Sequence, residues 1–263
     1  MTRLVWLSDL HYAVSGPLLG HDPVLRLRAA IAKINTHHCD AHACVITGDL
    51  AEHGLEAEYR ALAQELAALA MPVYAMTGNH DDRRALRAHI TLPAQTMPNF
   101  VQYAVNVGTA RVICLDSVTE GADHGSFCAE RLAWLADALA QAGDRPVLVF
   151  LHHPPLALGL PMLDPDRLRD SGPLLDLLCA RGTVRHLGFG HVHRPVSGSV
   201  RGLAFTSMRS VLYQAPPPEP AWDWDTFSPA DEAPEMGVIS LTGDAVTVQF
   251  QQICPASYGR TDQ

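Results

Sequence analysis

The chain is 263 residues long, 48% hydrophobic and 18% charged, and its 19 Lys and Arg stand against 28 Asp and Glu for a formal net charge of -9. That length allows one large α/β domain or two small ones with a full core, and no run approaches the roughly 18 apolar residues of a membrane span. The acidic balance without a basic run argues against duplex nucleic acid as the main partner; a small anionic substrate stays open, because bound cations reverse a local field.

The chain opens directly into an apolar run, Leu4 to Leu7, without a charged-then-apolar leader, so no signal peptide is expected. The six cysteines, at 39, 44, 114, 128, 179 and 254, form no CxxC pair and fall mostly in apolar stretches. Buried free thiols and a reducing, cytoplasmic setting are expected.

The pattern predicts a strand over Arg3 to Ser8, a Gly- and Pro-containing loop, and a helix over Pro23 to His37 opened by Asp-Pro, with Leu25, Ala29, Ile31 and Ile34 on its apolar side. A strand over Ala43 to Thr47, a helix over Leu55 to Ala70, a strand over Val73 to Met76 and a short helix over Asp82 to His89 complete a β-α-β-α-β-α order, the signature of parallel strands with crossover helices. The period then changes. Phe100 to Val107 and Ala110 to Leu115 read as a hairpin about Gly108 and Thr109, followed by a helix over Ala129 to Ala142 and a strand over Val147 to Leu151. A helix over Gly172 to Ala180 and a strand over Val184 to Phe189 precede an all-β end, with strands at Pro195 to Val200, Leu203 to Ser207, Gly237 to Leu241 and Ala245 to Gln251. A single domain over residues 1–263 is expected, interrupted by a Pro-rich excursion at 214–235 that carries Trp222, Trp224 and Phe227. Three readings stand for that excursion: packing back on the domain, which is usual for insertions, covering the active site, or a subunit contact.

Five strand ends deliver metal-binding side chains: Ser-Asp-Leu-His at 8–11, Thr-Gly-Asp at 47–49, Gly-Asn-His-Asp at 78–81, Leu-His-His-Pro-Pro at 151–155 and Gly-His-Val-His at 190–193. In α/β sheets that end is where ligands bind. Asp9, His11, Asp49, Asn79, His152, His191 and His193 are too many for one four-coordinate ion and fit two ions sharing a carboxylate, with Asp49 the natural bridge. Mixed N and O donors without thiolate suit Zn, Mn, Fe or Co. Any single Asp or Asn after a strand is explained by capping or loop polarity; the joint recurrence favours ligation. Asp81 and Asp82 open a helix, and dipole complementation accounts for them. Arg209, Tyr213 and His21 are candidate substrate contacts, with structural roles an equal reading, and the remaining histidines read as surface or structural.

In order and spacing, Asp9-x-His11, Gly48-Asp49, Gly78-Asn79-His80-Asp81, His152 and Gly190-His191-x-His193 resemble the calcineurin-like metallophosphoesterases over nearly the whole chain. Gly-Asn-His-Asp-Asp and Leu-His-His-Pro-Pro look like the class III cyclic-nucleotide phosphodiesterases and the bacterial glycerophosphodiesterases. The resemblance implies a four-layer α-β-β-α sandwich of two mixed sheets flanked by helices. It implies one metal on Asp9, His11, Asp49 and His193 and a second on Asp49, Asn79, His152 and His191, with His152 rather than His153 the ligand. His80 would stabilise or protonate at the phosphoryl group, and Asn79, His80 and His21 are the expected substrate contacts. The implied activity is hydrolysis of a 3′,5′-cyclic nucleotide or a glycerophosphodiester by a metal-bridging hydroxide. The same metal core supports phosphomonoesterase or dinucleotide hydrolase activity, and a non-catalytic interaction module is a further alternative. Relatives also form dimers or larger homo-oligomers.

Overall fold

The structure, a computed structural model, describes residues 1–261. Five strands, β1 (Thr2–Leu7), β2 (Ala43–Ile46), β3 (Val73–Ala75), β10 (Glu235–Thr242) and β11 (Ala245–Gln252), form one sheet in the order β11-β10-β1-β2-β3. Six form the other: β4 (Tyr103–Val107), β5 (Ala110–Cys114), β6 (Val147–Leu151), β7 (Val184–Phe189), β8 (Ser197–Val200) and β9 (Leu203–Ser207), ordered β4-β5-β6-β7-β9-β8. In the first sheet β1, β2 and β3 run parallel while β10 and β11 are antiparallel; in the second, β5, β6, β7 and β9 run parallel between antiparallel edges β4 and β8. Both sheets are therefore mixed, as expected.

Side-chain alternation fixes the layers. Val112, Cys114, Leu148 and Phe150 belong to the core shared with the first sheet, and Trp6 meets Phe150 edge-on at 5.6 Å between ring centres. Their neighbours Ile113, Val147, Val149 and Leu151 pack instead with Leu135 and Leu139 of α4 (Ala129–Gln141) and Leu174 and Leu178 of α5 (Gly172–Cys179). On the other side α1 (Pro23–His37) and α2 (Glu56–Leu66) contribute Leu27, Ile31, Ile34, Tyr59 and Leu62 to the first sheet's core. The result is the four-layer sandwich of two sheets with helices outside.

Local signals place the helix starts. Asp22 accepts from the Leu25 amide at 2.9 Å ahead of Pro23, and Asp82 accepts from the Ala85 amide at 2.7 Å to open α3 (Arg83–His89). Two expectations change. Helix α2 stops at Leu66 rather than Ala70, because the Asn35 amide takes over the next turn, accepting from Ala70 N at 3.0 Å and donating to Ala68 O at 2.7 Å. Leu25 is exposed, and the buried stripe of α1 carries Arg26 instead, whose guanidinium donates to the carbonyls of Leu212, Ala256 and Tyr258 near the chain's end. Among the described residues all six cysteines are free; Cys44, Cys114 and Cys254 are buried, whereas Cys39 is exposed.

Candidate metal centre

Asp9 and His11 follow β1, Asp49 follows β2, Asn79 and His80 follow β3, His152 ends the run after β6, and His191 and His193 follow β7. Carboxyl ends of parallel strands from both sheets thus meet at one edge of the sandwich. The backbone there is unusual: Asp9, His11, Asp49, His191 and His193 are five of the eight non-glycine residues with positive φ among those described. Such strain persists where the surroundings over-determine it, and it collects at functional sites. Close approach does the rest. A Cβ on Gly78 would collide with the backbone N and carboxylate of Asp49, and one on Gly190 with Ser8 Oγ and Asp9 Oδ2, so these two motif glycines are required by space.

The rings are oriented from behind. His11 Nδ1–H donates to Glu52 Oε2 at 2.6 Å, His152 Nδ1–H to Thr47 O at 2.8 Å and His193 Nδ1–H to Tyr213 O at 3.0 Å. That pattern, an acceptor holding one ring nitrogen so that the other points inward, is the arrangement of metal-bound histidines. His11 Nε2 and His193 Nε2 face each other at 3.0 Å, with Asp9 Oδ1 3.5 Å from His193 Nε2 and Asp49 Oδ2 3.6 Å from His11 Nε2. Beside them His152 Nε2 stands 3.0 Å from Asn79 Oδ1, 3.2 Å from His191 Nδ1 and 3.3 Å from Asp49 Oδ2. Asp49 therefore touches both groups. Neighbouring lone pairs at such distances repel unless a proton or a cation lies between them, so the donor set fits two metal ions in chemistry and in number.

Electrostatics agree. Burial works against charge on Asp49, but His152, His80 and His11 outweigh it and hold the carboxyl well below the usual range. His152 loses to burial and gains more from Asp49 and Asp9, which push it up to about 9. A cation seated there takes the place of that proton. Burial, with His152 adding to it, pushes His191 down to about 3, leaving a neutral ring able to donate an electron pair.

His153 lies within reach of His152 and His191, yet both its nitrogens are engaged: Nε2–H donates to Asp123 O at 3.0 Å and Nδ1 accepts from Ser117 Oγ at 2.8 Å. His80 donates from Nδ1 to Glu52 O at 2.8 Å, and its backbone N–H donates to Asp49 Oδ1 at 3.0 Å. Burial lowers its pKa, but Asp49 and Glu52 more than compensate and raise it. A cavity of about 320 Å³ opens over the cluster, lined by His11, Asp49, Asn79, His80, His191 and His193.

Several expectations are corrected. His21 does not line this cavity; its backbone bridges Leu18 and Arg260, and burial, then Arg26 and Arg260, push it down to about 4, which suits a structural neutral ring rather than an anion contact. Arg209 is paired with Glu232 and Glu235 and stays out of the cavity, whereas Tyr213 lines it. Asp81 is no dipole residue. Its buried carboxylate accepts from Gly78 N, Leu50 N, Ala51 N and Tyr59 Oη at 2.8–3.1 Å, clamping the Asp49 loop to the Asn79 loop. Sequence reasoning also passed over Glu52, whose only signal is an acid three residues after Asp49 in the same loop. The excursion folds back: Trp222 packs with Leu160, Leu163 and Val192, while Trp224 and Phe227 line the cavity.

Residues 2–195 match the family described as calcineurin-like phosphoesterase. The chain belongs to that family. This phosphoesterase is 38% identical over 216 residues to a probable cyclic nucleotide phosphodiesterase of Rhodopseudomonas palustris, covering 81% of this chain and 79% of the relative. It is 31% identical to the 3′,5′-cyclic adenosine monophosphate phosphodiesterase CpdA of Pseudomonas aeruginosa (86% and 82% covered) and 28% identical to the glycerophosphodiester phosphodiesterase GpdQ of Enterobacter lignolyticus (81% and 78%). Its fold is shared with a dimetal phosphatase from Danio rerio at a TM-score of 0.73 and 16% identity, covering 97% of both chains.

Proposed function

We propose that the chain is a dinuclear metal-dependent phosphodiesterase acting on small diesters, a 3′,5′-cyclic nucleotide or a glycerophosphodiester, the substrates its relatives are named for. The observation that carries this reading is Asp49, whose carboxylate lies 3.3 Å from His152 Nε2 and 3.6 Å from His11 Nε2 and so belongs to two adjacent donor sets. Asp9, His11, Asp49 and His193 would hold one ion, and Asp49, Asn79, His152 and His191 the other. Two divalent ions of the Mn, Fe, Zn or Co type supply Lewis acidity, activating water and neutralising the phosphoryl oxygens.

The chain's own residues do the rest. Glu52 anchors the His11 ring with its carboxylate and the His80 ring with its carbonyl, so one residue orients a ligand and the cavity-facing imidazole together. With Nδ1 tied to that carbonyl, His80 has Nε2 free to give its proton to the leaving alkoxide. Hydrolysis of bis(p-nitrophenyl) phosphate by protein supplied with manganese, iron, cobalt or zinc is the direct test. Folded, metal-loaded protein that turns over no diester rejects the proposal.

A further inference from the structure

The cavity has a second kind of wall that metal chemistry does not use. Trp222, Trp224 and Phe227 pack with ring centres 5.3–5.7 Å apart, and Tyr213 joins them to the metal-side rings, 6.1 Å from Phe227 and 4.6 Å from His193. Trp222 is accounted for by its apolar cluster with Leu160, Leu163 and Val192. Trp224 is not: 58% of it is exposed, yet it lines the same cavity as Asn79 and His191. A large indole left in water at the mouth of a site is informative where a scattered surface leucine is not.

We propose that the excursion builds an aromatic subsite in which Trp224 and Phe227 stack on a flat heteroaromatic ring, of nucleobase type, carried by the phosphodiester. This rests on the phosphodiesterase reading and adds to it the part of the substrate remote from phosphorus. A glycerol arm presents no π-face to these rings, whereas every base does. Asp123 and Asp166 line the cavity as well; they disfavour a second anionic group on the substrate and offer acceptors to an exocyclic amine. The cavity, about 320 Å³, is of the size of small-ligand sites. The aromatic wall also lies outside residues 2–195, the part matched by the family, so the ring-binding element is separate in sequence from the donor loops.

The test compares manganese-loaded wild type, Trp224→Ala and Trp224→Phe on 3′,5′-cyclic AMP and on glycerophosphoethanolamine. Loss of a stacking partner should lower kcat/KM for the cyclic nucleotide about tenfold relative to the aliphatic diester, mainly through KM, and phenylalanine should restore most of it. An unchanged ratio in Trp224→Ala overturns the subsite. Binding is read separately by quenching of tryptophan emission with adenosine 5′-monophosphate, using glycerol 3-phosphate as control. Quenching by the nucleotide alone, reduced in Trp224→Phe, supports the subsite, and equal quenching in both proteins overturns it. Failure of the wild type to hydrolyse these two diesters or bis(p-nitrophenyl) phosphate with manganese, iron, cobalt or zinc defeats the phosphodiesterase reading, and the titration then decides the subsite on its own.

Discussion

Replacing His186 with leucine tests whether the inter-sheet core excludes a charged ring. His186 pairs beside Leu148 in the β6–β7 ladder, on the face turned to the first sheet, and its Nε2 is buried with no hydrogen-bond partner among the described residues. Burial alone pushes it down to about 4. The sign follows: the unfolded chain takes up this proton near 6.5 and the fold only near 4, so the unfolded state binds more protons between those values. Stability is complete above the upper value and is lost as the pH falls through the window. From this one ring the loss is about 2 kcal/mol by pH 5 and about 3 kcal/mol below pH 4. Leucine fills a similar space without titrating. Urea unfolding of both proteins at about pH 8 and pH 5 should show the wild type losing about 2 kcal/mol more than His186→Leu. Equal losses in the two proteins would show that the fold accommodates the protonated ring, and the reasoning would be refuted.

Four other substitutions address the centre itself. Glu52→Gln keeps a partner for His11 but removes its charge, and metal affinity should fall about 10- to 100-fold in competition with a chromogenic chelator; an unaltered affinity would separate Glu52 from ring orientation. In folded protein, His153→Asn should keep the metal stoichiometry measured by elemental analysis, whereas His152→Asn should lower it, and the reverse result would exchange their roles. Gly78→Ala drives a methyl into Asp49, a contact with backbone that no rotamer change relieves. A loss of about 1–3 kcal/mol together with weaker metal binding is expected, and wild-type behaviour in both would show the two loops to be looser than their packing indicates.

The strand ends were legible because their chemistry is local: a short apolar run, a glycine, then Asp, Asn or His, as at Thr47-Gly48-Asp49 and Gly190-His191. What escaped depends on partners far along the chain. Arg26 is buried in a helix stripe only because the carbonyls of Leu212, Ala256 and Tyr258 surround it, and α2 ends early because Asn35, in another helix, takes its carbonyl and amide. Asp81 read as a helix opener from its neighbour Asp82, yet its four partners come from the β2 loop, Tyr59 and Gly78. For His153 the preference for His152 as ligand was legible, but the partners that occupy its ring, Ser117 and Asp123, were not.

The donors hang from both sheets: Asp9, Asp49 and Asn79 from one, His152, His191 and His193 from the other. An ion gripping both sets would rivet the seam between the two halves of the sandwich and, by mass action, would draw the chain toward its folded form. Supply of the ion would then set the folded population of the chain as well as its activity, since a chain without the ion would lack this link across the seam.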